Sequence, residues 1–169
     1  MVHIRLLGDV TVAGAPRHAV RVTRRGPALL LARLAIEPGK RWGRVALARP
    51  LWPTASDSQN DLRVALCQLR TLLGEAGAEE NALEADARAV ALDSRCVASD
   101  VAIFDQALRR ADTCSEPRER TRHLLTAVET YGGDLLPGRD EGWVRRERRR
   151  LRESRECAFW LLRAALALR

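Results

Sequence analysis

The sequence predicts two parts, an α+β unit over residues 1–95 and an all-α unit over residues 96–169. Three observations predict this. Stretches in which polar residues alternate with aliphatic or β-branched ones fall only before Asp93, at 3–7, 10–12, 20–22 and within 83–92. Beyond Asp93 the apolar residues recur at helical spacing. Finally, Tyr131, Gly132, Gly133, Asp134, Leu135, Leu136, Pro137 and Gly138 read as a helix, a sharp turn and a helix. With 46% hydrophobic residues in 169, the chain can bury one large core or two small ones.

The elements follow in order. Gly8 and Asp9 separate the first two alternating stretches, and Gly14, Ala15 and Pro16 precede the third, so three short antiparallel strands are expected. Residues 28–36 are apolar nearly all round except Arg33, as in a helix buried on most sides, and Pro38 and Gly39 stop it. A short second helix spans 44–51, ended by Pro50 and Pro53. Ser56 and Asp57 cap a third over 58–73, with Gly74 just past its end. Its stripe is Leu62, Leu66, Leu69 and Leu73, with Ala65 and Leu72 at the edge. A hairpin within 83–92 closes the unit. Next, Asp100 caps a helix whose face is Val101, Phe104, Leu108 and Ala111. Ser115, Glu116 and Pro117 open its hairpin partner, which carries Leu124, Val128 and Tyr131. Gly132 and Gly133 stand where that helix needs a left-handed terminus, and a last helix runs from about Glu141 to Leu168.

The formal charge is +7, and Lys40 is the only lysine among 29 cations. Arginine's planar fork suits phosphate and carboxylate. Distribution matters more than the total, because a GC-rich genome also favours arginine. Between Arg17 and Arg70 there are eleven Lys and Arg against three acids (Glu37, Asp57, Asp61), whereas 75–93 holds six acids and one arginine. A basic block followed by an acidic stretch is what a face meeting a polyanion requires.

The turn motif continues into Glu141, Trp143, Glu147, Arg148 and Leu151. Together these residues resemble the bacterial transcriptional activator domain of the Streptomyces-type antibiotic regulatory proteins. The N-terminal unit resembles the winged helix of OmpR-type regulators. The matching residues are Ile4 to Gly8, then Leu51, Trp52 and Pro53, and in the third helix Asn60, Leu62, Arg63, Ala65, Leu66, Leu69, Arg70, Leu72, Leu73 and Gly74. Trp42 and Arg44 stand where that family more often has an aliphatic and an acidic residue, Pro50 intrudes on the second helix, and Arg88 with Ala89 replaces the Gly-Tyr of the wing. The resemblance implies an α+β winged helix-turn-helix followed by an all-α tetratricopeptide-like module, one repeat and the start of the next. It also implies promoter DNA as ligand, often at direct repeats through paired protomers, and recruitment of RNA polymerase. The third helix then enters the major groove, where Asn pairs with adenine, Arg with guanine or phosphate, and Val or Thr with the thymine methyl. The DNA-contacting set is Asn60, Arg63, Val64, Cys67, Arg70 and Thr71, with Arg44 and Arg88. Periodicity alone would read that face as solvated surface.

Other features point away from chemistry. Arg145, Arg146, Arg148, Arg149 and Arg150 look like a nucleic-acid patch, but Arg149 with Glu153 and Arg152 with Glu156 stand at helical pair spacing, favouring an ion-paired face. Trp52 and Trp143 read as core anchors. His3, His18 and His123 are scattered, Cys67, Cys96, Cys114 and Cys157 form no Cys-x-x-Cys pair, and Gly39 with Lys40 lacks the upstream glycine of a phosphate loop. No enzyme, metal or cofactor is expected. With no secretory leader and no apolar run of spanning length, the expected location is cytoplasmic. Residues 158–162 and 164–168 are apolar on every side, so this end is expected to pair with another protomer's helix, pack back on 101–131, or be covered by further repeats. The alternatives to a DNA-binding activator are an interaction adaptor whose winged helix no longer reads DNA, and a regulatory fragment of a larger signalling protein.

Overall fold

A computed structural model describes residues 1–14 and 19–167. The expected turn at Ala15 and Pro16, the block's first cation Arg17, and His18, Leu168 and Arg169 lie outside the described residues. The fold is mixed α+β, with six α-helices and two small sheets among the described residues. Strands β1 (Val2–Arg5), β2 (Thr11–Ala13) and β3 (Ala19–Arg21) form the expected antiparallel meander. Two strands were not expected. β7 (Val97–Ser99) pairs in parallel with β1, placing Val2 opposite Val97 and Ile4 opposite Ser99, so residues beyond position 95 complete the N-terminal sheet. β4 (Trp42–Gly43) joins the hairpin β5 (Leu83–Ala85) and β6 (Ala89–Leu92) as a third strand. Both are too short to show alternation, and only distant partners define them.

Helix α1 (Arg25–Ala35) begins a turn earlier than expected, with Pro27 in the first turn, where its missing N–H costs no hydrogen bond. α2 (Arg44–Leu51) has the expected bounds, with Pro50 inside its last turn, and the Trp52 N–H closes it on the Ala48 carbonyl at 2.9 Å. α3 (Ser58–Glu75) is capped by Asp57, whose carboxylate accepts from the Asn60 N–H at 3.0 Å. Gly74 lies inside this helix. The left-handed residue after it is Gly77, at φ +76°. All four stripe leucines of α3 are buried, with Ala65.

Helix α4 (Asp100–Thr113) is capped by Ser99, whose Oγ accepts from the Ala102 N–H at 3.5 Å. Asp100, expected as the cap, does something else. Its carboxylate accepts the N–H of Leu6 at 2.9 Å, of Leu7 at 2.9 Å and of Val101 at 2.8 Å. The chain leaves the sheet after Arg5, so two amides that would lose ladder partners find a carboxylate instead. α5 (Pro117–Thr130) opens with Glu116 as cap and Pro117 at its first position, as expected. α6 is Gly142–Ala167.

The turn between α5 and α6 docks on the same segment of chain. Gly8 N–H donates to the Asp134 carbonyl at 2.9 Å, and Leu136 N–H to the Leu6 carbonyl at 3.2 Å. Neither Gly132 nor Gly133 has a positive φ, so their expected role as left-handed terminators is wrong. A Cβ on Gly132 would stand 3.1 Å from the Leu7 carbonyl oxygen, and one on Gly133 3.2 Å from the Gly8 Cα. Close backbone approach is what disfavours a side chain there, since the Leu7 and Gly8 backbone would have to give by a few tenths of an ångström. The strained residue of the turn is Leu136, at φ +46°. Arg148 of α6 holds it, donating to the carbonyls of Leu135 at 2.9 Å, Leu136 at 2.8 Å and Arg139 at 2.7 Å.

One core runs from Val2 through the α1–α3 leucines to Phe104, Leu135, Trp143 and Leu151. Trp52 and Trp143 are buried anchors as expected. The expected pairs Arg149–Glu153 and Arg152–Glu156 are not among those formed by the described residues. Arg150 instead bridges Asp105 and Glu147, and Arg152 pairs with Asp134, because partners from α4 and the turn stand opposite α6. A smaller cluster of Ala111, Leu124, Ala158 and Leu162 shows that one face of the α6 end packs back on α4 and α5.

Two stability outcomes follow from this architecture. Asp100→Asn keeps the shape but replaces an acceptor oxygen with a donor facing two N–H groups, and should lower unfolding free energy by about 1.5–3 kcal/mol in urea denaturation. Trp143→Ala should cost about 3–5 kcal/mol, measured in the same way.

Candidate nucleic-acid interface

With its leucines turned in, α3 presents Asn60, Arg63, Val64, Cys67, Arg70 and Thr71 outward, all exposed. The structure brings Arg63, Val64, Cys67 and Arg70 together with Arg44 at the start of α2 and Ala85 of the hairpin. These line a groove of about 460 Å³ that also includes Gln68, which the sequence reading did not single out. Gln68 follows Cys67 and sits where the exposed face meets the stripe. Its position needed the hairpin to be known.

The other three expected residues lie outside the groove. Asn60 is one turn back, its Oδ1 accepting from Arg63 Nη2 at 3.1 Å, so the two side chains act as a pair. Thr71 faces the β3 side, where it lines a hollow with Val20 and Pro27, and its hydroxyl donates to the Cys67 carbonyl at 3.3 Å. Arg88 is on the hairpin turn, and its carbonyl accepts from Arg44 N–H at 3.0 Å. Arg44 Nη1 also donates to the Asp86 carbonyl at 3.1 Å, which fixes the start of α2 against the hairpin.

The hairpin needs no Gly-Tyr because Asp86 organises it. Its Oδ1 accepts from Arg88 N–H at 2.7 Å and Ala89 N–H at 2.8 Å, and its own N–H donates to the Ala89 carbonyl at 3.0 Å. The amides of Ala89 and Arg88, with the Arg41 guanidinium beside them, hold its carboxyl below the ordinary value.

Ion pairing divides the basic block. Arg21 pairs with Asp9, Arg25 with Glu141, Lys40 with Glu37, and Arg41 with Glu84 and Asp86. Arg33 lies over Trp42 with its guanidinium 4.2 Å from the ring centroid. Arg24, just before α1, and Arg44, Arg49, Arg63 and Arg70 of α2 and α3 have no carboxylate partner among the described residues, so four of these five lie on two helices. Unneutralised charge therefore gathers on the two helices beside the groove. This surface can hold an anion, with an amide and a thiol between the guanidinium groups.

The architecture is that of a mixed α+β protein whose third helix carries an exposed polar face. No protein-family model matches the sequence, and no curated protein does. Among solved structures, the fold is similar to that of Mycobacterium tuberculosis EmbR, determined in complex with a low affinity phosphopeptide. The TM-score is 0.78 at 23% identity, covering 97% of this chain and 45% of that one. The chain thus spans less than half the length of the protein whose fold it shares.

The hairpin turn can be checked by titration. Because the folded carboxyl of Asp86 lies below the ordinary value of 3.8, its hold on the turn is complete above that pH and is lost as pH falls below it. The amide proton shifts of Arg88 and Ala89 should move together below pH 3.8 in NMR spectra, and Asp86→Asn should abolish the movement.

Proposed function

We propose that the chain is a sequence-specific DNA-binding transcriptional regulator of the Streptomyces-type antibiotic regulatory kind. In this reading α1, α2, α3 and the β5–β6 hairpin form a winged helix-turn-helix, and α4, α5 and α6 form a tetratricopeptide-like activator module. One observation supports it: α3 exposes a polar face along a groove whose guanidinium groups have no carboxylate partner among the described residues. α3 lies in the major groove. Asn60 and Arg63 read base edges as a linked pair, Val64 and Cys67 approach thymine methyls, and Arg44 and Arg70 meet phosphates on either side. Arg88 reaches the backbone from the wing. Promoter binding by paired protomers and recruitment of RNA polymerase belong to the same reading, which assigns no catalysis and no cofactor.

The adaptor reading has an observation of its own. Glu84 and Asp86 put two carboxylates on the hairpin, where a phosphate backbone would meet them, although Arg41 neutralises part of that charge. Fluorescence anisotropy over a salt series separates the two. Arg63→Ala and Asn60→Ala should each cost about 1–3 kcal/mol on the preferred site and relax its sequence preference. Arg70→Ala should weaken binding to all sequences and lower the salt slope by about one. The folded fraction should be unchanged in all three, whereas Leu66→Ala, at a buried stripe position, should lower the domain's stability by about 2–5 kcal/mol. Unaltered affinity in all three surface variants selects the adaptor.

A further inference from the structure

Leu162 of α6 turns in against Leu124 and Ala158, but one turn later Leu166 is 51% exposed, and Leu125 of α5 is 43% exposed. The seam between the two helices is therefore open on its outer side. A hollow of about 680 Å³ lies there, lined by Arg118, Thr121, Arg122, Leu125, Leu162 and Leu166. A second, of about 540 Å³, shares Arg118 and Thr121 and runs to Leu161 past Arg120 and Leu124. Three arginines line the two hollows and no acid does. Among the described residues Arg118 and Arg120 have no carboxylate partner, while Arg122 pairs with Glu119 at 2.8 Å.

We propose that the open α5–α6 seam, with Leu125, Leu162 and Leu166 as floor and Arg118, Arg120 and Arg122 as rim, docks an amphipathic helix of a partner protein that carries acidic residues along its apolar stripe. Leu162 and Leu166 stand four residues apart, as do Arg118 and Arg122. Apolar and cationic rows therefore run along the seam with helical spacing, which suits another helix better than an extended strand. Charge selects the occupant. A second copy seated symmetrically on this surface would bring the arginine rim of Arg118, Arg120 and Arg122 against its own copy. An acidic flank would give Arg118 and Arg120 the carboxylates they lack while the leucines are covered. The assignment is independent of whether α3 reads DNA.

The test uses the 169-residue chain and two synthetic helices of about 18 residues with the same leucine stripe, one flanked by glutamates and the other by lysines. Titration calorimetry should show the glutamate helix binding at least about tenfold more tightly, with affinity falling as salt rises. Leu166→Glu and Arg118→Glu alter exposed side chains and should each weaken that binding by about tenfold with an unchanged circular-dichroism melt. Equal affinity for the two helices, or unchanged binding in both variants, overturns the proposal. So does absence of peptide binding, whether the chain then self-associates in sedimentation or adheres to phosphatidylglycerol vesicles.

Discussion

The three residues Leu6, Leu7 and Gly8 govern how the two halves of this protein sit together. They leave the sheet with their amides unpaired and pass between the first turn of α4 and the glycine turn before α6. Asp100 takes two of the N–H groups and the Asp134 carbonyl takes the third. Burial pushes the Asp100 carboxyl up from its ordinary value, against the pull of the Leu7, Leu6 and Val101 amides, so burial has a cost that these contacts offset. With this segment fixed, Leu6, Leu7 and Leu135 are fully buried and the core is continuous.

The same constraint reaches the candidate interface through packing. β7 continues directly into α4, and α1 packs against both β7 and α3 within the common core. α3 is thus seated against the interior while its opposite face is free. Near the far end of α1, Arg33 lies over Trp42 and within 5.7 Å of the Trp143 ring centroid, linking the hairpin sheet to α6 through one guanidinium. Neither indole N–H has a hydrogen-bond partner among the described residues, so core packing and the guanidinium position the rings rather than hydrogen bonds.

Local signals in the sequence were read well where one element suffices. The α3 stripe, the Asp57 cap, Pro117 at the start of α5, and the helix-turn-helix at Tyr131 all depend on neighbours within a few residues. What failed depends on residues far away. The glycines at 132 and 133 looked like helix terminators because that is their commonest local use, but the backbone they must approach is that of Leu7 and Gly8. Asp100 looked like a cap because it precedes an apolar face, yet Ser99 takes that place. Helical spacing pairs Arg149 with Glu153 and Arg152 with Glu156, but Arg152 reaches back to Asp134. Of the expected interface, the helix face was legible and the groove was not. Arg44 enters it only because Asp86 folds the hairpin against the start of α2.

The parallel pairing of β1 with β7 has a consequence for how the molecule is made. β1 is synthesised well before β7, so its inner edge and the amides after it find partners only when residues 97–100 have followed, 94 residues later for the Leu6–Asp100 bond. Contacts of such long sequence separation slow folding. Until then the nascent chain carries an uncovered strand edge of apolar Val2 and Ile4, the kind of surface that early chaperones bind. The meander of β1, β2 and β3 is therefore made before α4 but completed only with it.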